Sequence, residues 1–240
     1  HPSLDGLKGG TGEPIMAFNI DQVVPWGRSL EEYTAMFALS QSDLDGSILG
    51  CGDGPASFNV EMYLLGKNVI SVDPIYRCTT LQIQERVEEA YPMVMEQLYT
   101  NSETFVWRNF DSPEHVGRVR QKAMQRFLSD FDLGKEQRRY RPYELPVLPF
   151  EDHQFDLALS SHLLFLYADQ LPTNFHLKAI KEMLRVAKEV RIFPLLTMNG
   201  ALYPHMHTIC TWIEKHHHHY RIEKVPYEFQ RGGNRLLRIW

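Results

Sequence analysis

A chain of 240 residues is long enough for one sizeable domain with a buried core and short for two. Its 43% hydrophobic, 23% charged and 12% aromatic content excludes an intrinsically disordered protein. Its net charge of −5 argues against a nucleic-acid binder.

No apolar run approaches the ~18–20 residues that span a bilayer. The opening residues also lack the charged, apolar and small-residue order of a signal peptide. No membrane partner is therefore expected. Cys51, Cys78 and Cys210 are odd in number and without C-x-x-C spacing, which fits neither a disulfide framework nor a zinc knuckle and points to a reducing cytoplasm.

Residues 1–15 are rich in Gly and Pro without hydrophobic periodicity and are expected to be a disordered leader, with a single domain over 16–240. Leu30, Tyr33, Met36 and Phe37 then recur at helical spacing, and Ser29 with Glu32 makes a capping-box pattern. Ser47-Ile48-Leu49 reads as a strand end, followed by a glycine-rich turn and a helix face of Phe58, Met62 and Leu65 that Gly66 closes. Val69-Ile70-Ser71-Val72-Asp73 completes a strand–helix–strand unit, the signature of a parallel sheet.

The roughly 65 residues between Ile75 and Arg139 exceed an ordinary crossover and must hold structure of their own. Two helices are legible, over 81–99 with Pro92 as a possible kink and over 114–131. They are read as a helical cap inserted over about 75–138. This region is basic: residues 108–141 hold 9 Lys and Arg against 5 Asp and Glu, whereas residues 1–107 hold 5 against 15. Arg118, Arg120, Lys122, Arg126, Lys135, Arg138, Arg139 and Arg141 fit either a solvated helix face or a surface toward an anionic substrate.

Further strands are predicted over 140–145, 155–160 and 190–196, with a helix bearing Leu177, Ile180, Leu184 and Ala187 before the last. The tract His216 to His219 is placed at a helix end. Strand-like stretches over 220–229 and 236–240, joined by Arg231-Gly232-Gly233-Asn234, predict an antiparallel hairpin.

In an open α/β sheet, ligands sit beyond the carboxyl ends of the strands, at the first strand–turn–helix. Here that turn reads ILGCGDGPASF, and Gly50, Gly52 and Gly54 remove side chains where backbone approaches a ligand. A bare glycine turn needs no ligand. Asp73 adds weight to one, because an acid ending the second strand accepts hydrogen bonds from ribose hydroxyls.

The sequence GCGDG, a G-x-G-x-G pattern, resembles motif I of class I S-adenosylmethionine-dependent methyltransferases. The likeness spans about residues 47–196 and the terminal hairpin. It implies a Rossmann-like α/β fold with seven strands, mostly parallel, a C-terminal antiparallel hairpin, and a helical insert between the second and third strands. It further implies S-adenosylmethionine as cofactor, with Gly50, Cys51, Gly52 and Gly54 wrapping its methionine end, and Asp73 followed by Pro74 holding the ribose. In YELPVLPFEDHQFDLALSSHLLFLY, Glu144 falls where the family's adenine-binding acid lies, with Leu145 offering its backbone N–H. Ser160, Ser161 and His162 then follow the fourth strand near the reacting methyl. Where the family usually carries an acid two residues before the first glycine, this chain has Ile48. Arg28 is the candidate to hold the cofactor carboxylate instead. VVPWGRSLEEY also resembles the start of bacterial methyltransferase-like proteins of unassigned substrate.

The expected activity is methyl transfer to a small-molecule acceptor admitted under the insert. His162 is either a general base or a structural histidine. The chain has no N-P-P-Y after the fourth strand and no Pro-Cys pair, so adenine and cytosine are poor acceptors to expect. His205, His207 and Cys210 lack a fourth ligand, and no metal is expected. Two alternatives use the same turn: a nicotinamide-dependent oxidoreductase, and a non-catalytic protein that binds or senses the cofactor.

Overall fold

The computed structural model describes residues 26–240, so the expected leader over 1–15 lies outside the described residues. Helix α1 (Leu30–Phe37) starts at the predicted box, with the Ser29 side chain accepting from the Glu32 N–H and the Glu32 side chain from the Ser29 N–H. A short α2 (Gln41–Asp45) repeats the device with Ser40 and Asp43. Strand β1 (Ser47–Cys51), α3 (Phe58–Leu64) and β2 (Asn68–Val72) form the expected parallel unit, with Gly50 opposite Ser71. The insert contributes α4 (Thr80–Thr100), which contains Pro92, and α5 (Pro113–Glu136). Then follow β3 (Tyr140–Arg141), β4 (Phe155–Ser161), α6 (Thr173–Val186), β5 (Ala187–Phe193), α7 (Met206–Lys215), β6 (Tyr220–Lys224) and β7 (Arg235–Ile239).

The seven strands lie in the order β3-β2-β1-β4-β5-β7-β6. The first five are parallel, and β7 runs antiparallel to both β5 and β6. This is the sheet that the resemblance implies. Its strand order reverses between β1 and β4, which opens a crevice at their carboxyl ends. One face buries Leu49, Ala158, Ile180, Ile192 and Ile209 against α6 and α7. The other buries Ile48, Phe37, Phe58, Leu159 and Phe193 beneath α1 and α3. A third cluster of Ile83, Phe127, Phe131 and Tyr140 seats the insert on the β3 edge. Among the described residues, no helix is long and apolar enough to cross a membrane.

Several boundaries differ from the sequence reading, α5 running on to Glu136 among them, and four have a plain physical reason. Strand β3 stops at Arg141 because Pro142 has no N–H for the ladder. Helix α6 ends at Val186, since Ala187 already pairs with Phe155 in the sheet. Strand β5 ends at Phe193, before Pro194. Strand β6 ends at Lys224, just before Pro226. The Val225–Asn234 connection is a long excursion rather than a four-residue turn, because Tyr227 and Phe229 are buried in the second cluster.

The basic island divides: Arg118, Lys122, Arg126 and Arg138 are exposed, as on a solvated helix face, whereas Arg120 and Arg139 are buried. Arg120 is 0% exposed and pairs with Glu32, while Tyr227 accepts from Arg120 at 3.2 Å and donates to Glu32 at 3.1 Å. Arg139 makes a two-pronged pair with Asp130 at 2.8 and 2.7 Å and lies over the Tyr63 ring. Arg126 meets Glu61 at 3.0 Å. Arg120 and Arg126 thereby bind the insert to α1 and α3.

Candidate cofactor and acceptor cavity

A cavity of about 850 Å³ opens at the carboxyl ends of β1, β2 and β4. Strand β2 leads directly into Asp73, whose extended backbone aims its carboxylate back across the glycine turn. One oxygen accepts the Gly54 N–H and the other the Ile75 N–H, both at 2.9 Å. Each oxygen has a second lone pair, so capacity remains for two more donors. Burial pushes the Asp73 carboxyl up to about 6 against the pull of these two N–H bonds, and the nearby Asp53 and Glu144 carboxylates push the same way. A charge-demanding group is thus held where a ligand's hydroxyls would complete its solvation.

The glycines divide their work. Gly54, at φ +54°, meets only Asp73 Oδ2 at 3.9 Å from where a Cβ would stand, and it lines the cavity. Gly52, at φ +78°, also lines it, and a Cβ there would fall 2.6 Å from Leu163 Cδ2. Gly50 lies inside β1, away from the cavity wall, and its missing side chain leaves the space that the Asp53 carboxylate occupies, 1.9 Å from where a Cβ would stand. Cys51 is buried in the first core cluster with its thiol pushed up by burial. Ser160 is buried, with no partner for its Oγ among the described residues. Gly50, Cys51 and Ser160 therefore stand behind the wall, whereas Arg28, Pro74, Glu144, Leu145 and His162 line it.

Asp53 is the residue that sequence reasoning missed. It sits between two glycines of the turn, 7% exposed, and accepts from Tyr33 Oη–H at 2.8 Å and Ser71 Oγ–H at 2.6 Å. Asn59 Nδ2 donates in turn to Ser71 at 3.0 Å. Burial pushes the Asp53 carboxyl up to about 6, against these hydrogen bonds. It shares the cavity with Arg28, whose Nη1 donates to the Trp26 carbonyl at 3.3 Å and whose buried Nε has no partner among the described residues. Burial and the neighbouring Arg120 lower the Arg28 pKa. The cavity thus sets the Arg28 cation, with an open donor, beside a buried Asp53 carboxylate that holds only neutral donors.

Glu144 meets Arg77 at 3.3 Å, and Leu145 is buried behind it. His162 takes a left-handed backbone, φ +54°, with Nδ1 2.8 Å from Ser161 Oγ and its ring 5.5 Å from that of Phe193. Burial, with Arg28 and Arg120 close by, holds the imidazole well below its ordinary pKa. It is neutral at physiological pH. Among the described residues, no group of three His, Cys, Asp or Glu side chains gathers as a metal site, His205, His207 and Cys210 included. No member of the basic island lines the cavity.

More of the wall comes from the loops after β4 and β5, and the rest from two further stretches, the end of α4 with the segment after it and the Val225–Asn234 connection. The two are laced together. Val106 N–H donates to the Phe229 carbonyl at 2.7 Å and Arg231 N–H to the Thr104 carbonyl at 2.9 Å. Phe105 stacks on Phe229 at 4.7 Å, and Phe110 meets the same ring edge-on at 5.2 Å.

The sheet order, the switch-point cavity and the glycine turn together define a Rossmann-like fold of the class I methyltransferase type. No family model matches the chain. It is 31% identical over 224 residues to the uncharacterized protein MJ0045 of Methanocaldococcus jannaschii, a match covering 92% of this chain and 97% of its relative. The chain belongs to the family of that archaeal protein. Among solved structures it is similar to magnesium protoporphyrin IX methyltransferase of Synechocystis with bound S-adenosylmethionine, at 14% identity and a TM-score of 0.47 over 88% of this chain and 76% of that one. It is also similar to a methyltransferase of Thermotoga maritima described as a possible histamine N-methyltransferase, at 14% identity and a TM-score of 0.41 over 88% and 86% of the two chains.

Proposed function

We propose that the protein binds S-adenosylmethionine in this cavity and transfers its methyl group to a small-molecule acceptor in a cytoplasmic setting. The observation that carries the reading is the Asp73 carboxylate, pinned by the Gly54 N–H in one cavity with Glu144 and the unsatisfied Arg28. The residues fit the cofactor. Gly52 and Gly54 leave a cradle without side chains, and Arg28 lacks the acceptor that a carboxylate would supply. When bound, the cofactor supplies a sulfonium-activated methyl group.

In this reading Arg28 takes the amino-acid carboxylate and Asp53 the ammonium, in place of the acid that Ile48 displaces. Asp73 accepts from the ribose hydroxyls, and Glu144 with the Leu145 N–H reads the adenine edge. His162, neutral and bonded through Nδ1 to Ser161, keeps Nε2 for orienting the acceptor by a hydrogen bond rather than for storing a proton. The aromatic wall of Phe105 and Phe229 keeps water from the reacting atoms, so that alignment does most of the catalytic work.

Calorimetry with S-adenosylmethionine and S-adenosylhomocysteine tests the reading. Micromolar affinity is expected, falling at least tenfold in Asp73→Ala, because the lost charge-assisted hydrogen bonds are worth ~1.5–3 kcal/mol. Absence of binding by the wild-type protein refutes it.

A further inference from the structure

The wall contributed by the insert, the loops after β4 and β5 and the Val225–Asn234 connection states what kind of acceptor it suits, given the methyltransferase reading on which this inference rests. From Leu98, Phe105, Tyr167, Met198 and Phe229 the cavity receives flat or flexible apolar surface. At the solvent-exposed mouth of this wall stand the carboxamides of Gln97, Asn101 and Asn199, which no hydrogen bond among the described residues engages. Gln230 commits its Nε2 to the Thr197 carbonyl at 3.2 Å and keeps its oxygen.

Charge is scarce on this wall. Glu103 and Arg231 are its ionised side chains, and the Arg231 guanidinium is spent on the carbonyls of Glu103 at 3.3 Å and Phe105 at 3.2 Å. The Glu103 carboxylate enters no ion pair among the described residues, so an anionic acceptor would leave water without a free counter-charge on this wall, a larger penalty than burying a neutral polar group that finds partners. Carboxamides offer both a donor and an acceptor, which matches lactam, carboxamide and heterocyclic edges. Aromatic rings favour a flat partner stacked or edge-on. The volume of about 850 Å³ accommodates such an acceptor beside the cofactor.

We propose that the acceptor is a flat molecule without negative charge and with a carboxamide-like hydrogen-bonding edge, read by Gln97, Asn101 and Asn199. Salicylamide and salicylate, alike in shape and differing in charge, test this by calorimetry on protein saturated with S-adenosylhomocysteine. Salicylamide should bind at least tenfold more tightly than salicylate. That preference should shrink to within about twofold in Asn101→Leu and in Asn199→Leu, with S-adenosylhomocysteine affinity unchanged as proof of an intact fold. Equal or tighter binding of salicylate, or binding of neither probe to the loaded protein, overturns the proposal. Failure of S-adenosylhomocysteine itself to bind sinks the methyltransferase reading beneath it, and the two failures are told apart in the first titration.

Discussion

Replacing Asp53 by Asn should stabilise the ligand-free protein while weakening its grip on the cofactor. Burial moves the Asp53 carboxyl from an ordinary 3.8 to about 6. At ~1.4 kcal/mol per pKa unit, that displacement of roughly two makes the ionised form cost the folded state ~3 kcal/mol at neutral pH. An Asn side chain carries no such cost and keeps both contacts, because the hydroxyls of Tyr33 and Ser71 rotate to donate or accept. The sign follows from linkage. The unfolded chain ionises this carboxyl near 3.8 and the folded one near 6, so wild-type stability is lost as pH rises through that window, whereas the variant does not titrate there. Urea denaturation should show Asp53→Asn more stable by ~1–3 kcal/mol at about pH 7.5, with most of the advantage gone by about pH 4. The same variant should bind S-adenosylhomocysteine about tenfold more weakly at pH 7.5, having lost the counter-charge for the ammonium. A stability difference that is the same at both pH values would refute the reasoning.

Two further outcomes concern the joints of the fold. Arg120→Met strands the buried Glu32 carboxylate with Tyr227 as its remaining long-range partner, and should cost ~3–5 kcal/mol in urea denaturation; stability near wild type would show that the pair does not hold α1 to the insert. Phe229→Ala removes the ring shared by Phe105, Trp107 and Phe110. It should cost ~3–5 kcal/mol locally and speed amide hydrogen exchange at Val106 and Arg231 well before the amides of β1 and β4, whereas uniform acceleration would mean that the wall is not a separate unit.

What was legible in the sequence was local. The capping box at Ser29, the strand–helix–strand around the glycine turn and the acid at Asp73 all announce themselves within a few residues. What was hidden depends on partners far along the chain. Arg120 counts as surface charge until Glu32, 88 residues away, is brought beneath it. The glycines at 232 and 233 promise a tight hairpin, but Phe229 belongs to an aromatic cluster centred on the insert, and burying it draws out the connection. Asp53 was overlooked because it occupies a spacer position of GCGDG. Its significance lies in the empty space above Gly50, which only the folded turn reveals. Gly50, Cys51 and Ser160 lie within strands β1 and β4 and are absent from the cavity lining, which only the folded sheet reveals.

The lacing of Thr104 and Val106 to Phe229 and Arg231 ties an insertion in the middle of the gene to its last strands. Anyone grafting the helical insert of a relative into this scaffold to alter acceptor choice must transplant residues 225–234 along with it. Within this family, the two stretches should accordingly have diverged in step, as a single module split across the primary structure.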